Sequence, residues 1–66
     1  MYINLRYEMN KQHKKQKDIA NHLGITEMQF GRKIRKQTEF KLSECLAIKE
    51  YLNSNLSIDE LFKFVE

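Results

Sequence analysis

No proline occurs in this chain, and glycine stands only at Gly24 and Gly31. Almost nothing interrupts a helix, so the composition favours helix throughout. Collagen-like and low-complexity character do not fit it, and no segment repeats at a fixed period. The 66 residues leave room for one domain, residues 1–66, and none for a second. With 41% apolar and 32% charged residues, a small core under a heavily charged surface is expected, and a deep, water-free active site is not.

The single cysteine, Cys45, rules out an internal disulfide, and no Cys/His cluster offers a zinc site in its place. No apolar run approaches the ~18 residues of a membrane span, and the first residues carry no signal pattern. The expectation is a soluble, cytoplasmic protein of a reducing compartment, with no cofactor, metal, membrane or small-molecule ligand. The net charge of +3 is unevenly spread. Asn10 to Lys41 holds nine cations against three carboxylates, a net +6, and the rest of the chain is −3. A polyanion is the natural partner for such a stretch; the alternative is a solvated lysine-rich surface.

Apolar spacing divides the chain into five helices. Leu5 and Met9, with Tyr2 beside them, predict a first helix from Ile3 to about Gln12. Ile19, Ala20 and Leu23 predict a second over about Gln16 to Leu23, stopped by Gly24, which tolerates the left-handed conformation after a helix end. Thr26-Glu27-Met28-Gln29 has the form of a capping box, and Phe30 and Ile34 one turn apart predict a third helix over about Glu27 to Arg35. From Leu42, the residues Cys45, Leu46, Ile48 and Leu52 carry a fourth to about Asn53, before the turn cluster Asn53-Ser54-Asn55. Ser57 to Glu60 is a second capping box, and Ile58, Leu61, Phe62 and Val65 give a last helix its apolar stripe. Tyr2, Tyr7, Phe40 and Phe62 are expected to complete the core or its edge. The result is a compact all-α bundle.

The most informative stretch is Gln16 to Arg35. Ala20 supplies a small residue where the second helix must cross the third, and Gly24 relieves the backbone in the tight turn between them. Ile19, Leu23, Ile25, Phe30 and Ile34 face inward, which leaves Glu27, Met28, Gly31 and Arg32 on the free face of the third helix. That is helix-turn-helix geometry.

Gln16, Ala20, Gly24, Ile25, Thr26 and Phe30 in this order resemble the helix-turn-helix of the Cro and phage-repressor-like family, also called the xenobiotic-response-element family. The likeness extends through Lys33-Ile34, Glu39-Phe40, Leu42-Ser43-Glu44, Ile48, Leu52 and Leu56 to Phe62, and is greatest to the variant found in small phage regulators. It implies a five-helix lambda-repressor-like domain, with the helix-turn-helix at about residues 16–35. Lys15 and Lys41 depart from the family where capping residues are usual, and Lys14 where an apolar residue is, so its alkyl stem is expected to cover the core.

The resemblance makes the third helix the recognition helix in the major groove of a double-stranded DNA operator. The base-reading positions it implies are Glu27, Met28, Gly31 and Arg32. Arg32 can donate twice to guanine, Glu27 can accept from cytosine, Met28 can touch a thymine methyl, and Gln29 can read adenine if the helix tilts toward it. Met28 can equally be a spare surface residue. Gly31 either lets the helix approach the bases or occupies an exposed position that tolerates glycine. The resemblance assigns a phosphate to Gln16, with Lys17, Thr26, Lys33, Arg35 and Lys36 as further phosphate-contacting candidates.

One recognition helix reads too few base pairs to mark a unique site, so a homodimer on a palindromic operator is expected. Its interface is sought at Phe62, Phe64 and Val65. Cys45 reads as an inert buried thiol, and His13 and His22 lack a third metal ligand; His22 either touches the DNA backbone or is solvated. No catalytic set can be assembled, so an enzyme is not expected. The two readings are a DNA-binding transcriptional regulator, a Cro-like repressor of phage or mobile-element type, and a protein-interaction module that turns the same face to another regulator.

Overall fold

The computed structural model describes residues 1–66 as five helices and no strand: α1 (Ile3–Lys11), α2 (Gln16–Leu23), α3 (Glu27–Ile34), α4 (Leu42–Leu52) and α5 (Ile58–Leu61). The chain packs into 26 × 24 × 21 Å. Leu5, Ile19, Phe30, Ile34, Ile48, Leu52 and Leu61 are fully buried, so every helix contributes to one core. Ala20, 1% exposed, lies in α2, which packs against both α3 and α4. No helix is long and apolar enough to cross a membrane.

Four helices end in the same hydrogen-bonded closure. After α2, Gly24 is left-handed at φ 73°, and the Ile25 N–H donates back to the Ala20 carbonyl at 3.0 Å. The closures after α1, α3 and α4 use His13, Lys36 and Asn53, with φ of 57°, 63° and 50°. These residues have a Cβ, so the same turn costs more there than at Gly24.

Helix starts follow the sequence more closely. At α3, the Gln29 N–H donates to Thr26 Oγ1 at 3.1 Å and the Thr26 N–H to Gln29 Oε1 at 2.9 Å, a complete capping box. Ser57 and Glu60 do the same for α5. Lys15 and Lys41 have no capping oxygen, and only half a box forms at each: their N–H groups donate to Asp18 and Glu44, both at 2.8 Å.

Two expectations fail. The last helix stops at Leu61 instead of running to Val65, because the final residues leave it to pair with the other end of the chain. Val65 N–H donates to the Met1 carbonyl at 2.9 Å, and the Met1 amino group donates to the Val65 carbonyl. Phe62 and Phe64 thereby turn onto Tyr2, at ring-centroid distances of 6.2 and 5.1 Å, in an aromatic cluster that includes Phe40. Second, Tyr7 is 64% and Leu46 51% exposed, not core. Leu46 shares an outer stripe with Leu42, about 100° round the helix from the buried line Cys45, Ile48 and Leu52.

Candidate nucleic-acid interface

Helix α3 advances about 100° per residue. Phe30 and Ile34 define its buried side, so Arg32 and Met28 fall on the opposite side, with Arg35, just past the helix end, on the flank next to Gly31; all three are exposed. Met28 is 67% exposed, and its Sδ lies 3.7 Å from an Arg32 guanidinium nitrogen. The pair forms the outward ridge of the helix. Glu27 and Gln29 are exposed beside it, but the Gln29 carbonyl oxygen is committed to the Thr26 N–H, which leaves its amide NH₂ free. Thr26 is exposed at the start of the helix, with its hydroxyl accepting from Gln29.

The two shoulders of α3 differ from the sequence reading. Gly31 is buried, not presented on the free face. It faces α2, and a Cβ built there would meet Arg35 Nη1 at 3.1 Å and Gln16 Oε1 at 3.7 Å. The position expected on the free face is thus covered by the side chains of its neighbours. On the other shoulder Lys33 faces α4. Its ammonium lies 3.2 Å from a Glu44 carboxylate oxygen and donates to the Glu39 carbonyl at 3.2 Å. With both side chains of that ion pair only 14% exposed, Lys33 holds α3 to α4 and is not a free phosphate donor.

Burial pushes the Glu44 carboxyl up, but the Lys41 N–H and the Lys33 ammonium outweigh it and hold it below the ordinary carboxylate range. Lys36 is likewise engaged. Its ammonium sits over the Phe64 ring at 4.9 Å and 3.7 Å from Glu39, at the aromatic end of the molecule.

Six of the nine cations between Asn10 and Lys41 make no ion pair: Lys14, Lys15, Lys17, Arg32, Arg35 and Lys41. Lys15 and Lys17 are exposed on either side of the half-buried Gln16. An open recess of about 280 Å³ where α1 meets α2 is lined by Arg6, Lys14, Lys15 and Gln16. A second, of about 300 Å³ between α3 and α4, is lined by Gln29, Arg32, Lys33 and Lys41. Lys15 and Lys41 stand in the sequence only as departures from capping residues that add positive charge, and they place a cation at the start of α2 and of α4. Arg6, within α1, left no signal. Lys14 lays its ammonium over Tyr51 at 4.9 Å, and His22 stacks on the same ring at 4.3 Å.

The other candidates are structural. Burial, then the Glu44 charge, pushes the Cys45 thiol up, which keeps it protonated and unreactive. No three His, Cys, Asp or Glu side chains come together in metal-binding fashion. Of the residues assigned to a dimer interface, Phe62 and Phe64 are half-buried within the chain, and Val65 is 42% exposed. The arrangement offers one exposed helix face that carries two donors, Arg32 and the Gln29 amide, beside the Glu27 carboxylate and the Met28 thioether, with unpaired cations around it. Set against models of protein families, curated proteins and solved structures, the chain matches none of them.

Proposed function

We propose that this chain is a sequence-specific, double-stranded-DNA-binding transcriptional regulator of lambda-repressor-like fold, a Cro-like repressor acting in the cytoplasm. In this reading α3 enters the major groove, Arg32 reads guanine and Met28 contacts an adjacent thymine methyl. Gln16, Lys15, Lys17 and Arg35 take the phosphates on one flank, and Lys41 takes them on the other. Two copies bind a palindromic operator and block access to the promoter, with no catalytic step.

One observation carries the reading: Arg32 and Met28 stand outward from α3, while Phe30 and Ile34 anchor its opposite side in the core. The test is selection of bound duplexes from a random pool. Recovery of a palindromic motif with a conserved G in each half supports the proposal, and recovery of no motif overturns it. Arg32→Ala then relaxes the preference at that G by about 1–3 kcal/mol.

The second reading, a module that binds another protein, is favoured by an observation away from the basic face to which the sequence assigned it. Leu42 and Leu46, 67% and 51% exposed, lie one turn apart on the outer side of α4. It predicts that Leu46→Glu abolishes activity in the cell without weakening the binding of any duplex.

A further inference from the structure

Gly31 is the one residue of α3 without a side chain, and nothing in the backbone asks for glycine there. Its φ is not left-handed; among the glycines only Gly24 has that conformation. A mid-helix glycine weakens a helix relative to alanine, so the reason for it is spatial. A Cβ at position 31 would lie 3.1 Å from Arg35 Nη1, tighter than most such contacts, so with a side chain there the guanidinium would have to give by a few tenths of an ångström from where it now rests. The Gln16 amide approaches the same point from α2, with Oε1 at 3.7 Å. The tips of two side chains from different helices thus converge over a bare patch of α3. Arg35 has no carboxylate partner to satisfy it.

We propose that Gly31 is a positioning residue: by leaving a slot open on α3, it lets the Arg35 guanidinium lie back along the helix beside Gln16, and the two form a donor clamp for one phosphate of a nucleic-acid strand. The inference rests on the DNA-binding reading above and deepens it. The guanidinium supplies a planar fork that matches two phosphate oxygens, and the Gln16 amide adds a neutral donor. With its carbonyl oxygen turned toward Gly31, Gln16 can offer its NH₂ to the anion. The two donors come from opposite sides of the helix-turn-helix, so the clamp fixes how the motif sits on the strand, not which bases it reads.

The test uses the full chain and a fluorescent mixed-sequence duplex of about 30 base pairs, titrated at several salt concentrations. Gly31→Ala is expected to raise the thermal midpoint, because alanine is the better helix former. It is also expected to weaken binding a few-fold at low salt while leaving the log-log salt slope nearly unchanged, because the Arg35 charge is kept. Arg35→Ala should weaken binding further and make the slope shallower by about one, and adding Gly31→Ala to it should cost nothing more. Arg35→Lys should restore the slope but not the full affinity, since the charge returns without the fork.

An unchanged affinity in Gly31→Ala overturns the clamp, and so does additive loss in the double variant. If the wild-type chain binds no duplex, the DNA-binding reading itself fails and takes the inference with it. Wild-type binding with an insensitive Gly31→Ala chain removes the clamp alone.

Discussion

Lys33 and Arg35 leave the same helix two residues apart and end in opposite circumstances. Lys33 is drawn to Glu44 and the Glu39 carbonyl, largely out of water. Arg35 is exposed and meets no carboxylate, resting over the bare backbone of Gly31. The first cation ties α3 to the fold, and the second is available to an outside anion. Charge count along the sequence treats them alike; what separates them is the shoulder of α3 from which each departs.

The largest expected break in this contrast is on stability. Lys33→Met removes the ammonium from a poorly exposed carboxylate and should cost about 2 kcal/mol, read as a lower urea midpoint. Arg35→Ala should stay within about 0.5 kcal/mol of wild type in the same assay. Equal losses in the two variants would erase the distinction between the shoulders.

Acid should sharpen it next. The Glu44 carboxyl is held below its ordinary value despite its burial. Glu8 is held low by the Ser54 hydroxyl, then by Lys11, in the joint between α1 and the turn after α4. Both groups are more acidic folded than unfolded, so the stability they add is complete above their unfolded values. It declines as pH falls through about 4.5 towards the folded values. Chemical denaturation across this range should show that decline in wild type and in Arg35→Ala alike, and a smaller one in Glu44→Gln.

The smallest effect concerns the turn that follows. Lys36 has a left-handed backbone at φ 63°, and glycine there should gain roughly 1 kcal/mol of backbone relief. It should lose about as much from the contacts of the ammonium with Phe64 and Glu39. His13→Gly, at φ 57° and with no aromatic contact to lose, should keep its gain. A thermal midpoint higher for His13→Gly than for Lys36→Gly checks both.

Local spacing was enough to recover α1 to α4 within a residue or so, because each rule involved acts over one or two turns of helix. Thr26 and Gln29, Ser57 and Glu60, and Gly24 all work at that range. The tail was not legible for the opposite reason. Phe62 to Val65 continue a helical stripe in sequence, but their fate is decided by Met1 and Tyr2 at the far end of the chain. Of the three closures without glycine, Asn53 left a mark in the turn cluster Asn53-Ser54-Asn55, and His13 and Lys36 left none.

On α3, the sequence pattern correctly separated Arg32 and Met28 from Phe30 and Ile34. It misjudged the residues between the two sides. Gly31 directly follows Phe30, and Lys33 stands three beyond it, so both lie at the border of the buried side. There the neighbouring helices, α2 and α4, decide whether a side chain is covered.

The connection between α2 and α3 is closed at each end, by the left-handed Gly24 and its backbone bonds on one side and by the reciprocal Thr26 and Gln29 pair on the other. No hinge remains between them. Whatever surface α3 meets encounters a shape settled when the chain folded, and the entropic cost of ordering it falls on folding instead of on association.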